Sequence, residues 1–180
     1  MLLPQAASLY ACPLCLLGFS VDEIEDGGRL TEEHAPPDKL DGEVVCLTCA
    51  DCNHRAGRIL DSHMVRAERL LDFAAGRDTP PLRARIGVNG VEQRSRVSRE
   101  TGGVKFFGVP RANAPGTTGA IQSVLEELVA LGDSACGTTI NVTFDEPFDE
   151  RHVAIGWLRS AYLVAFAAFG YRYIFQPCLT

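Results

Sequence analysis

Long apolar runs, internal repeats and low-complexity tracts are all missing from these 180 residues. The longest strongly apolar run, Ser160–Tyr171, is too short to span a bilayer and has Arg159 beside it, so no transmembrane segment and no membrane partner are expected. Met1 to Leu17 is fairly apolar but lacks the basic opening of a secretory leader and contains a Cys-x-x-Cys. A cytoplasmic protein is expected. An excess of positive charge is missing too: the net charge of -6 excludes a uniformly basic nucleic-acid binder. A hydrophobic content of 46% against 22% charged residues excludes wholesale disorder.

The net charge conceals an uneven distribution. Residues 1–52 carry two Lys/Arg and ten Asp/Glu, residues 53–111 carry twelve and six, and residues 112–180 carry three and seven. The middle third is therefore a basic band inside an acidic chain, and nearly all of it is arginine, the side chain suited to bidentate phosphate contacts. The plain alternative is a set of solvated helix faces.

Residues 18–30 are acidic and glycine-bearing, which predicts a loop leading to a strand near Arg29–His34. Pro36-Pro37 ends that strand, Asp41-Gly42 signals a turn, and the β-branched run Glu43–Leu47 predicts a second strand. Apolar positions from Ile59 to Ala74 recur at helical spacing, which predicts one helix over about 50–75. Gly76 to Pro81 reads as a domain boundary. Beyond it, Asn89-Gly90 between Ala84–Val88 and Val91–Val97 signals a hairpin, with Val104–Val109 as a third strand. A helix over Ala120–Leu131, ended by Gly132, a strand over Thr138–Phe144 and an apolar helix over Glu150–Phe169 follow. Tyr171–Phe175 reads as one more strand with little after it, which suggests that the natural chain continues past Thr180. The fold class is α+β: a module over residues 1–76, then a small α+β domain over residues 82–180.

Seven cysteines is an odd number, and five of them fall between residues 12 and 52. Cys12/Cys15 and Cys49/Cys52 form two Cys-x-x-Cys knuckles, which together supply the four thiolates that a structural zinc takes in a tetrahedron. The 33 residues between them exceed the usual spacing, so a functional insert lies between the knuckles. Cys46 sits three residues before Cys49, so Cys46/Cys49 is an alternative second knuckle; Cys46 also suits a strand, where a thiol packs as a small apolar group. Cys136 and Cys178 are isolated and read as core residues.

The first knuckle, then Glu33-His34-x-Pro-Pro-x-x-Leu-x-Gly42, then Cys49-x-x-Cys-Asn53-x-x-x-Gly-x-x-x-Asp61 resembles the HNH endonucleases, in particular their zinc-bearing branch. The resemblance covers about residues 10–75 and implies a ββα-metal fold with nuclease activity on DNA. It implies His34 as the base that activates water, a role suited to an imidazole near neutral pH. It implies Glu33 and Asn53 as ligands of a catalytic Mg²⁺ or Mn²⁺, with Asp61 as a further ligand or as an orienter of the others. Glu32 is an alternative to Glu33, and Asn53 suits a helix cap equally well. The chain departs from the pattern in lacking an asparagine on the second strand, near Glu43 or Val44. His54 and His63 have no assigned role.

A nuclease also needs phosphate contacts away from the cut. Arg55 and Arg58, one helical turn apart, are expected beside the metal site, and Arg94 and Arg96 would extend the DNA track. The second domain is expected to recognise target or to dimerise through its apolar last helix, and double-strand cutting by a one-metal site favours a homodimer. Two other readings stand beside the nuclease: a non-catalytic zinc module that binds nucleic acid or a protein partner, and, less well supported, a redox protein using Cys12/Cys15.

Overall fold

The structure, a computed structural model, describes residues 9–25, 28–88, 90–101, 103–109, 116–131 and 139–174. Asn89, Gly132, Cys136 and Cys178, named above, lie outside the described residues. The chain is a mixed α+β structure. It divides into two compact units, Met1–Val65 with Phe148–Thr180, and Arg66–Pro147. This differs from a single boundary near residue 76. The first unit is discontinuous in sequence, and the apolar last helix expected in the second domain belongs to it. Local breakers such as Gly76 and Pro80-Pro81 mark where an element stops, but they carry no information about what packs with what.

The first unit opens with two short antiparallel strands, β1 (Tyr10–Ala11) and β2 (Gly18–Phe19), which hold the first cysteine knuckle between them. Leu16 takes a left-handed conformation (φ 62) to close that knuckle, and its N–H donates to the Cys12 carbonyl. The segment expected as a loop contains helix α1 (Val21–Glu25). Its start is a capping box: Glu23 accepts from the Ser20 N–H while the Ser20 hydroxyl accepts from the Glu23 N–H.

The predicted hairpin is present as β3 (Leu30–Ala35) paired antiparallel with β4 (Glu43–Cys49). The ladder runs from Leu30 opposite Cys49 to Glu33 opposite Cys46, then slips by one residue so that His34 faces Val44. Such a bulge re-aims the side chains that follow it. In the connecting turn Gly42 is irreplaceable, because a Cβ there would lie 1.5 Å from the Pro36 carbonyl oxygen.

The chain then enters helix α2 (Ala50–Ala56) directly from Cys49. The single helix expected here is interrupted. A π-helical turn, Gly57–Asp61, separates α2 from α3 (Ser62–Ala74), opening at a glycine, a weak helix former. After the excursion into the second unit, α5 (Glu150–Phe169) starts at Asp149, whose carboxylate accepts from the Arg151 and His152 N–H groups. This helix has twenty residues, and its most apolar 18-residue window has a mean hydropathy of 1.3, enough by length and apolarity to cross a membrane, so it exceeds the short apolar run read from the sequence. Gly156 lets Met64 pack against it: a Cβ there would sit 2.2 Å from the Met64 sulfur. Tyr171–Ile174, expected as part of a strand, is a helical turn, α6. The aromatics that suggested a strand are used differently. Tyr171 packs edge-on against Phe166 and Tyr10, and its hydroxyl donates to the Ala11 carbonyl at 2.7 Å. Tyr162 donates to the Pro13 carbonyl at 2.7 Å. Residues from the C-terminal helices thus brace the first knuckle.

The second unit is a four-stranded antiparallel sheet in the order β7-β6-β5-β8, built from β5 (Thr79–Val88), β6 (Val91–Glu100), β7 (Gly103–Gly108) and β8 (Ile140–Phe144). Strand alternation buries Leu82, Ala84, Ile86 and Val88 on one face and exposes Arg83 and Arg85 on the other. The buried face packs with Ile121, Val124 and Leu125 of helix α4 (Thr117–Leu131) and with Phe73 from the end of α3.

Candidate functional site: a four-cysteine centre and a buried arginine–carboxylate cluster

Two sites of unlike chemistry lie in the first unit. The first is made by the strands and the helix start. The Cys12 knuckle hangs between β1 and β2, while Cys49 ends β4 and Cys52 lies in the first turn of α2. The ligand atoms of Cys12, Cys15, Cys49 and Cys52 all lie within 4.8 Å of one another. The Cys15 and Cys49 sulfurs are 3.7 Å apart. A tetrahedral metal with zinc–sulfur bonds of ~2.3 Å places its sulfurs roughly 3.8 Å apart, so the donor set and its spacing fit such an ion. These four residues could hold a metal such as zinc, and the second knuckle is Cys49/Cys52.

The electrostatics of the cluster favour a cation at its centre. Burial pushes the Cys12 thiol up, but the N–H groups of Cys49, Leu14 and Cys15 outweigh it and hold the group below its ordinary value. Cys49 and Cys52 are pushed up, first by burial and then by the neighbouring thiols. Several thiolates confined in this volume repel one another unless a positive ion sits among them. Cys12, Cys49, Phe19 and Leu30 also form the buried apolar cluster of this unit.

Cys46 belongs elsewhere. It stands across the ladder from Glu33, and its thiol is pushed up to about 11 by burial and then by the Glu33 carboxylate. That carboxylate is the centre of the second site. Glu33 is 3% exposed. It accepts from the Thr48 hydroxyl at 2.8 Å and forms an ion pair with the Arg159 guanidinium, whose nearest nitrogen is 2.7 Å away. Arg159 comes from the middle of α5, and its other terminal nitrogen lies 3.9 Å from Asp61 at the end of the π turn. Asp61 is raised above the usual carboxylate range, because burial and the Glu33 charge outweigh the attraction of Arg159. One guanidinium thus serves two partly or wholly buried carboxylates.

Around this cluster the other sequence-derived residues are placed as follows. The Asn53 side-chain amide donates to the Thr31 hydroxyl at 2.9 Å and to the Glu32 carbonyl at 3.0 Å, tying the first turn of α2 to β3. Glu32 itself is exposed. The His34 side chain is 31% exposed, with its Nε2 4.0 Å from Asp38. Arg55 and Arg58 are exposed on α2 and the π turn. His63 accepts from the Asp149 N–H at 2.9 Å and stacks on His152, so it serves the start of α5. Arg94 and Arg96 are exposed on β6, in the second unit.

Glu33 and Asp61 are therefore brought together with Arg159 between them, while the Asn53 amide faces the backbone of the same strand. Among the described residues, the four cysteines are the one group of three or more His, Cys, Asp or Glu side chains near enough to hold a metal. Arg159 is the residue the sequence reading missed. Its signal was present: an arginine inside an apolar helix is buried only if a carboxylate meets it. No family model matches the chain, and neither does any curated protein or solved structure.

Proposed function

We propose that the first unit is a zinc-stapled ββα nuclease module that hydrolyses a phosphodiester in DNA. The observation that carries this reading is the join between hairpin and helix. Glu33 and the accessible imidazole of His34 end one strand, and Asn53, in the first turn of the following helix, bonds back to that same strand. In this reading His34 takes the proton of the attacking water, and Arg55 and Arg58 hold phosphates flanking the cut. Zinc held by Cys12, Cys15, Cys49 and Cys52 would supply rigidity, not chemistry. A Mg²⁺ or Mn²⁺ bound at Glu33 and Asn53 would neutralise charge on the phosphoryl oxygens. Arg159 is paired with Glu33 in the structure, so such an ion would have to compete with that guanidinium.

The test is plasmid cleavage with Mn²⁺. His34→Ala should lower the rate by about 10²–10⁴-fold, the usual worth of a general base. Equal cutting by wild type and variant removes the proposal.

A specific observation favours a second reading, a non-catalytic zinc module that binds nucleic acid or a protein. The Glu33 charge is already met by Arg159 and Thr48, and the residue is only 3% exposed. A zinc-loaded protein that binds DNA in a salt-dependent way and cuts nothing, with or without Mn²⁺, decides for it.

A further inference from the structure

The outer face of the second unit's sheet carries an arrangement of charge that folding alone disfavours. In the β5–β6 ladder Arg83 stands opposite Arg96, and Arg85 stands opposite Arg94. All four are exposed. Like charges directly opposed in an antiparallel pair are destabilising. The next strand extends the first row, where Phe107 of β7 is the partner of Arg96 and its side chain is 48% exposed. An acid answers part of this charge from one side: Asp145 meets the Arg85 Nε at 3.2 Å. A cleft of about 310 Å³ runs along Arg83, Arg94, Arg96, Val109 and Asp145. Helix α4 packs on the opposite face.

We infer that this face binds a single-stranded nucleic acid, with guanidinium groups on its phosphates and Phe107 stacked on a base. The exposed arginines, Arg83 and Arg96 foremost, supply attraction for a polyanion but no choice among polyanions. Phe107 supplies the choice, since an exposed ring beside the cationic row matches an unpaired base, whereas a duplex keeps its base faces stacked inside. The inference names the form of nucleic acid for the nuclease reading, and in taking nucleic acid as the polyanion it rests on that reading; its residues all belong to the second unit.

The test is fluorescence anisotropy of the full chain with a labelled oligothymidylate, without added Mg²⁺ or Mn²⁺. Binding should weaken with salt at a logarithmic slope of roughly −0.7 for each engaged phosphate. The double variant Arg83→Gln/Arg96→Gln should flatten that slope by about 1.4. Phe107→Ala should weaken binding by about five- to a hundredfold, and Phe107→Leu should behave like the alanine variant, because stacking needs a ring. Tighter binding of a duplex of equal length, equal competition by polyglutamate, or wild-type binding by Phe107→Ala would each overturn the assignment. The two readings fail separately. A protein that binds the strand and never cuts DNA loses the nuclease and keeps this face. One that cuts, with binding unchanged in the Phe107 and arginine variants, loses this face alone.

Discussion

Arg159→Met is the sharpest perturbation the fold offers. Methionine keeps much of the volume of the buried arginine stem but removes the guanidinium. Glu33, 3% exposed, then keeps the Thr48 hydroxyl as partner and loses its counter-charge at 2.7 Å, and Asp61 loses the cation 3.9 Å away. Orphaning a buried charge costs about 3–5 kcal/mol. Against a typical folding stability of about 5–15 kcal/mol, that is a large share of the margin. In a domain of about 100 residues each kcal/mol moves the melting midpoint by about 4–8 °C, so the transition of the first unit should fall by at least ~12 °C. Calorimetry of the full chain measures it, with cysteine-bound metal content as a second readout of the same unit. The double variant Arg159→Met/Glu33→Gln removes the orphaned charge and should recover about half the loss or more. A single variant that loses less than about 1 kcal/mol refutes the ion pair as a main tie of the helix, because that is the scale of an exposed pair. A double variant no better than the single one shows that packing, not charge, set the loss.

Further outcomes follow from the same structure. Cys49→Ser should abolish binding of one metal per chain and unfold the first unit, whereas Cys46→Ala should keep the metal; spectrophotometric titration of released zinc distinguishes them, and a Cys46 variant that loses the ion would redraw the ligand set. Asp61 has a raised folded-state pKa, so its contribution is fully present below the unfolded carboxylate value and is lost as pH rises through the folded one. Asp61→Asn should therefore be more stable than wild type at pH 8, with the advantage vanishing in acid, as read from urea midpoints; a weaker variant at pH 8 would mean that Arg159 attracts Asp61 more than burial penalises it. Gly156→Ala should cost about 1–3 kcal/mol, because its Cβ enters the space of the fully buried Met64, and a thermal shift that Met64→Ala relieves would identify the clash.

Much of the local structure could be read from the sequence because its determinants are local. Asp41-Gly42 and the β-branched run after it mark the hairpin, and alternation in Leu82–Val88 marks a half-buried strand. The cysteine spacing marked the cluster, and the place of Cys46 within a strand favoured Cys52 over it as the fourth member, as the structure has it. The short helix at Val21 was legible but unread, since Ser20 and Glu23 form a capping pattern hidden among acidic residues. What could not be read is long-range. Nothing near Glu33 indicates that its counter-charge arrives from α5, and nothing in Tyr171–Ile174 indicates that its tyrosine braces Ala11. Period and propensity describe one segment at a time, and these contacts depend on two.

The discontinuity of the first unit affects the order of its assembly. A ribosome adds about 5–20 residues per second, so the hairpin emerges several seconds before Arg159 does, with the whole of the other unit made in between. During that interval Glu33 has no guanidinium and the Cys12 turn lacks its tyrosine supports. The amino-terminal segment therefore gains its ion pair and its tyrosine braces only when the last helix is delivered.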